Sequence, residues 1–257
     1  MLLLIDAGNS FLKWNFASAA DKQLVATTQS TNWESTHLVN ATLKQWQDRG
    51  DISRVIMSSV VSEDRNNIIF QWVKSHGPLE LELVKSQRTA LGVTNAYENP
   101  AHLGVDRWIA LIACSDLFPK ENCIVVDCGT AVTLDTLLAN GTHKGGVIFP
   151  GLQLMKNSLL GNTDIASSLV KNGFEQNKEI EIFNHTTASA IQNGVLNAVV
   201  AGITSSVSEI ANKCNERVRT VITGGAAPYV LPHLSIQYHH EPDLIMKGLL
   251  AMAVNSR

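Results

Sequence analysis

Two stretches of this chain are built alike, and that likeness limits what the chain can fold into more than any other feature. Residues 2–16 read LLLIDAGNSFLKWNF and residues 124–137 read IVVDCGTAVTLDTL. In each, an apolar run with the length of a strand buried on both faces ends in an aspartate, Asp6 or Asp127, followed by small residues and a second strand-like run. The strand carries a carboxylate to the end of a sheet. Glycine in the turn lets a ligand approach the main chain, where N–H groups and short polar side chains can face a phosphate. The first turn is Ala7, Gly8, Asn9 and Ser10, after which Leu12, Trp14 and Phe16 share one strand face and Lys13 takes the other. The second turn is Cys128, Gly129 and Thr130. One such hairpin is commonplace; two, about one small domain apart, predict a duplicated α/β fold of two similar lobes.

Size and composition agree with that prediction. The 257 residues accommodate two lobes of roughly 120, and 45% hydrophobic with 17% charged residues provides an ample core. A net charge of −3 offers no basic footprint, so a general nucleic-acid binder is disfavoured. Cys114, Cys123, Cys128 and Cys214 have no C-x-x-C spacing and read as free thiols, mostly buried, rather than structural zinc ligands. The N-terminus has no basic leader, and no apolar run is expected to reach the ~20 residues of a membrane helix. The expected setting is the cytoplasm, with no membrane partner.

Between the hairpins, strands alternate with helices: Val39, Leu43 and Trp46 fall at helical spacing, residues 54–61 form a buried strand, and Ile69, Trp72 and Val73 mark another helix. The run from Tyr97 to Trp108, YENPAHLGVDRW, places Asp106 and Arg107 at the head of an apolar helix. Two readings stand side by side: a helix-capping aspartate with a solvated arginine, or a carboxylate that takes a proton from a hydroxyl beside a guanidinium that holds an anion. A boundary near residue 118 gives an N-terminal lobe of residues 1–117 and a C-terminal lobe of residues 118–257. In the second, GGVIFPG at Gly145 marks close approach of backbone to a ligand or a neighbouring strand. Residues 162–178 read as a mobile loop. Thr187 opens a long helix whose stripe runs through Ile191, Val195, Val199, Ile203, Val207 and Ile210, with Gly194 and Gly202 suited to close packing within the lobe or across a dimer. Gly224 and Gly225 form a turn and residues 244–254 a closing helix. His239 and His240, in a polar loop, lack the further ligands of a metal site.

Four strings together, DAGNS at Asp6, LGVDR at Leu103, DCGTAVTLD at Asp127 and GGVIFPG at Gly145, resemble the type III pantothenate kinase family, in its order and across nearly the whole chain. The resemblance implies the acetate and sugar kinase, Hsp70 and actin superfamily: α/β, two ribonuclease-H-like lobes with the active site and ATP in the cleft between them. It implies transfer of the ATP γ-phosphoryl group to the 4′-hydroxyl of pantothenate, a homodimer, Mg²⁺, and a monovalent cation, K⁺ or NH₄⁺. By the same resemblance Asp6, Ala7, Gly8, Asn9, Ser10, Phe11, Leu12 and Lys13 form the first phosphate loop, with Asp6 orienting hydrated Mg²⁺. Asp127 binds the monovalent cation, Thr130 contacts ATP, and Gly224 with Gly225 resembles an adenosine turn. Asp106 is the general base, and Tyr97, Gly104, Val105, Asp106 and Arg107 hold pantothenate. Thr187 of a second subunit, or its neighbour Thr186, completes the pantothenate site. The three carboxylates Asp6, Asp106 and Asp127 distinguish this reading from a regulatory, non-catalytic nucleotide binder.

Overall fold

The computed structural model describes residues 1–161, 173–174, 179–214 and 216–255. The chain divides into two compact units, one of residues 1–120, 140–143 and 243–257, the other of residues 121–139 and 144–242.

In the first unit, β1 (Leu2–Ala7) is buried along its whole length and pairs antiparallel with β2 (Phe11–Ser18). β3 (Gln23–Leu24) and β4 (Gln29–Asn32) each pair with β2. Helix α1 (Thr36–Arg49) starts where the Ser35 side chain accepts the Leu38 N–H and stops at Gly50, which takes the left-handed conformation (φ 72°). β5 (Arg54–Ser59) lies parallel to β1 on the side away from β2. Helix α2 (Glu63–Ser75) leads to β6 (Glu80–Leu83), parallel to β5, giving the sheet order β3-β2-β1-β5-β6. A two-residue hairpin, β7 (Thr89–Ala90) with β8 (Val93–Thr94), and a 3-10 turn at Pro100–His102 precede α3 (Val105–Leu117). Leu3, Ile5, Ala7, Trp14, Trp46 and Trp72 share one core on one face of this sheet; the alternation of side chains sends Leu2, Leu4 and Asp6 to the other.

The second unit repeats the plan. β9 (Asn122–Cys128) pairs antiparallel with β10 (Ala131–Leu137) on one side and parallel with β12 (Val218–Thr223) on the other. β11 (His143–Pro150) and β13 (His239–His240) complete the order β11-β10-β9-β12-β13, which matches the first sheet position for position. His239 and His240 therefore form a short strand, not a loop. Between β11 and β12 come α4 (Leu152–Gly161) and α5 (Thr187–Cys214); between β12 and β13 comes α6 (Ala227–Val230). The α5 stripe of Ile191, Val195, Val199, Ile203 and Val207 packs with Ile124, Val126 and Leu134. Contrary to expectation, α5 is long and apolar enough, by length and composition, to cross a membrane. The expected loop at residues 162–178 lies almost entirely outside the described residues.

The C-terminal helix α7 (Leu244–Asn255) corrects the expected domain boundary. Instead of closing a second lobe of residues 118–257 it belongs to the first unit. Nine of its residues are buried, and a helix apolar all round needs cover on more than one side. Gly248 makes the fit to α3 possible, because a Cβ there would overlap the carbonyl and side chain of Ile109. Of the paired glycines of β11, Gly146 meets backbone, where a side chain would strike the Leu134 carbonyl, while Gly145 has open space around it; a side chain at Gly151, just past β11, would strike the carbonyls of Gly129 and Thr130. Gly202 lies against the Phe149 ring within the unit. Gly248→Ala is expected to lower unfolding free energy by about 1–3 kcal/mol, the usual result of overfilling a packed contact; urea denaturation checks this, and an unchanged midpoint would contradict the packing.

Candidate active site

The first unit sets Asp6 in a row of three side chains. It stands opposite Lys13 on the antiparallel neighbour and Ser58 on the parallel one, and cross-strand neighbours in such a row point the same way. The Ser58 hydroxyl, fully buried, donates to Asp6 Oδ1 at 2.9 Å. Burial pushes the Asp6 carboxyl above its ordinary 3.8; the Lys13 charge and the Ser58 hydrogen bond pull it back, and the Asp106 charge pushes it up again. Asp106 belongs to the same unit as Asp6. It reaches that face on α3, which packs against β5 and α7.

After Asp6 the chain turns, and the turn closes with the Gly8 N–H donating to the Phe11 carbonyl at 3.1 Å. Asn9, Ser10 and Phe11 are exposed. Three elements hold the turn from behind. The Val60 N–H donates to the Ala7 carbonyl at 3.1 Å, the Trp33 indole N–H to the Gly8 carbonyl at 2.8 Å, and Arg65 Nη1 to the Asn9 carbonyl at 2.6 Å. The Arg65 guanidinium also lies 5.5 Å from the centre of a Trp33 ring.

Asp106 occupies the first turn of α3, behind a glycine N-cap, Gly104, that offers no side-chain cap. Its Oδ1 accepts the Arg107 N–H at 2.8 Å and lies so near Gly104 that a Cβ there would come within 2.6 Å. Arg107 is not the solvated arginine of the capping reading: it is 6% exposed. Its Nη1 donates to the Tyr97 hydroxyl at 2.9 Å, and Tyr97 in turn stacks on His143 at 6.2 Å between ring centres. The loop carrying Tyr97 is fixed by residues that its motifs did not single out. Arg88 donates to the carbonyls of Asn95, Tyr97 and Glu98 at 2.6–3.0 Å. Asn95, 1% exposed, donates to the carbonyls of Gln87 and Pro100 and accepts the Tyr97 N–H. A buried guanidinium beside a phenol suits a carboxylate or phosphate ligand, with a half-buried carboxylate one residue away.

In the second unit Asp127 stands one residue before the end of β9, opposite Thr133 and Thr223. Gly129 N–H donates to the Ala131 carbonyl at 3.1 Å, Ala226 N–H to the Cys128 carbonyl at 2.8 Å, and Gly151 N–H to the Thr130 carbonyl at 3.0 Å. Gly224, at φ 99°, is the residue this turn tolerates, since a Cβ would overlap Asp127 Oδ1 and the Cys128 main chain. Thr130 is exposed. Burial pushes the Cys128 thiol up to about 12, and the Asp127 charge adds to it, so this cysteine is a packing group rather than a nucleophile.

These donors suit hard cations. No cluster of three or more His, Cys, Asp or Glu exists among the described residues. The Asp6 environment, with its raised carboxyl, is short of positive charge and would welcome such an ion. Around Asp127 the nearby groups are a carboxylate, turn carbonyls and a threonine, all oxygen donors.

Comparison with known proteins places this geometry in context. A family model described as type III pantothenate kinase matches residues 2–209. A type III pantothenate kinase of Nitrosococcus oceani is 34% identical over 257 residues, covering 98% of this chain and 94% of its own. A solved structure provisionally named as a 2-dehydro-3-deoxygalactonokinase, from Sinorhizobium meliloti, superposes with TM-score 0.61 at 12% identity, covering 100% of this chain and 98% of its own. Another, provisionally named as a Baf family transcriptional activator from Campylobacter jejuni, gives 0.59 at 19% identity over 99% and 98%. The fold is that of the actin-like ATPases and sugar kinases.

The Asp6 environment predicts a pH effect. A carboxyl whose folded value is raised binds its proton more tightly in the native state, so its contribution to stability is full at low pH and declines as pH rises from about 3.8 through the raised value. Asp6→Asn removes that decline. Melting temperatures of the metal-free protein between pH 4 and pH 8 are expected to fall less steeply in the variant than in the wild type; parallel curves would contradict the burial of an ionised Asp6.

Proposed function

Because the chain belongs to the type III pantothenate kinase family, and so transfers the ATP γ-phosphoryl group to the 4′-hydroxyl of pantothenate at the start of coenzyme A biosynthesis, we propose that Asp106 is its general base. The supporting observation is the start of α3, where Asp106 stands half-buried in the first turn beside the buried Arg107, with its charge raising the Asp6 carboxyl. Asp106 takes the proton of the hydroxyl as that oxygen attacks phosphorus. Arg107, held by Tyr97, binds the pantothenate carboxylate. Gly104 leaves room for the Asp106 carboxylate, and Val105 continues the segment into α3.

The turn from Asp6 to Lys13 binds the ATP phosphates, with Lys13 adding positive charge. Asp6 holds hydrated Mg²⁺, which when bound neutralises phosphate charge. Asp127 holds K⁺ or NH₄⁺, Thr130 contacts ATP, and Gly224 with Gly225 borders the adenosine. In-line positioning and charge neutralisation are what phosphoryl transfer demands of a protein.

The working form is a homodimer joined through α5. Of the most apolar 18-residue window of that helix, 28% is buried within the chain, and a groove of about 480 Å³ opens beside it, lined by Met155, Leu159, Ala190, Gly194 and Thr187 among others. A second copy covers that face, which is an alternative to lipid for an apolar helix. Thr186 accepts the Ser189 N–H at 3.1 Å and caps α5, leaving the exposed Thr187 as the threonine that reaches the partner's pantothenate. The enzyme acts in the cytoplasm, without a nucleic-acid or membrane partner, consistent with buried thiols at Cys114, Cys123 and Cys128.

ADP release from ATP and Mg²⁺ tests this reading. It is expected to require pantothenate and to be faster in K⁺ than in Na⁺. Asp106→Asn is expected to lower kcat by about two to four orders of magnitude with the circular dichroism unchanged. Near-normal turnover in that folded variant would remove Asp106 from the mechanism.

A further inference from the structure

The first phosphate turn is held by two side chains that none of its motifs contains. Trp33, 8% exposed and directly following β4, donates its indole N–H to the Gly8 carbonyl, and Arg65, in the first turn of α2, donates to the Asn9 carbonyl. Together with the Val60 N–H on the Ala7 carbonyl, they bind three consecutive carbonyls from three different elements. The chain contains no cis peptide among the described residues. In a planar trans peptide the carbonyl of one residue and the N–H of the next point in opposite directions. Fixing the Gly8 carbonyl onto Trp33 therefore turns the Asn9 N–H away from Trp33, and fixing the Asn9 carbonyl onto Arg65 turns the Ser10 N–H away from Arg65.

We propose that Trp33 and Arg65 are positioning residues that preset the Gly8–Asn9 and Asn9–Ser10 peptides with their N–H groups toward the ATP phosphates and their carbonyls withdrawn. A carbonyl facing a phosphate repels it, so an unrestrained turn of exposed residues would spend part of its time in the wrong orientation and lose affinity for the correct one. The aromatic face beneath the guanidinium fixes Arg65 as well as the turn, making the two residues one clamp. The second turn does the same work with main chain: Ala226 and Gly151 N–H groups hold the Cys128 and Thr130 carbonyls. In the first copy a main-chain donor, Val60 N–H, holds only the Ala7 carbonyl, and the side chains of Trp33 and Arg65 hold the next two.

This inference rests on the phosphate role proposed for the turn, and the test separates the two. Trp33→Phe removes one donor and no charge while keeping an aromatic ring; Arg65→Met removes the second donor from a half-buried site at a helix start, where folding tolerates change. Calorimetric titration with Mg·ADP, and separately with pantothenate, is compared for each variant and the wild type, alongside thermal melts. Each variant is expected to weaken Mg·ADP binding by about 3–10-fold, as loss of one such hydrogen bond does, with pantothenate affinity within about twofold and the ATP KM rising in parallel. Mg·ADP affinity unchanged in both folded variants would overturn the clamp, as would equal losses for both ligands, which would mean general loosening. Wild-type protein that binds no Mg·ADP would overturn the phosphate role of the turn and this inference with it.

Discussion

An ionised carboxylate at the end of a strand buried on both faces costs desolvation, and the construction of the first unit follows from having to keep one there. Asp6 is 8% exposed. Lys13 and Ser58 reach it because their strands bracket β1 in a register that brings all three side chains into one row. The compensation is incomplete, since burial still outweighs both and Asp106 adds a like charge. Burial that is not fully compensated disfavours the ionised carboxylate and would favour a cation placed beside it.

Duplication explains why the same solution appears twice. In both sheets the aspartate-bearing strand has its antiparallel hairpin partner on one side and a parallel strand on the other. In both, carbonyls of the turn are tied back by donors from elsewhere in the unit. The copies have diverged in how they do it. In the second turn, packed closely by Gly151 and Gly224, main-chain donors hold the carbonyls, whereas the first adds an indole and a guanidinium to the one main-chain donor from Val60. The first copy also carries α3, with Asp106 in its first turn and a buried Arg107, the residues proposed to act on the substrate.

Much of this was legible in the sequence for local reasons. The hairpins, the strand at Arg54–Ser59, and helices α1, α2 and α5 follow from apolar period and from turn residues acting over a few positions. What escaped depends on distant partners. Ser58, Trp33, Arg65, Arg88 and Asn95 are ordinary residues until the fold brings each to a carbonyl or carboxylate. The glycines in and just after β11 were ambiguous because a ligand and a neighbouring backbone ask for the same missing side chain; Gly146 and Gly151 face backbone, and Gly145 faces open space. Helix α7 was assigned to the wrong lobe because an all-apolar helix is compatible with any core, and only the fit of Gly248 to Ile109 decides which. The length of α5 was underestimated as an apolar run because its serines and asparagines interrupt the string without interrupting its face.

The central claim is that the base on α3 and the carboxylate on β1 belong to one electrostatic site, and carbon-13 NMR of the Asp6 carboxyl measures it most directly. In the wild-type protein the Asp6 carboxyl is expected to titrate above 3.8, and in Asp106→Asn, which removes a neighbouring negative charge, its midpoint moves down. An Asp6 midpoint that is the same in both proteins would mean that the two carboxylates do not share a site.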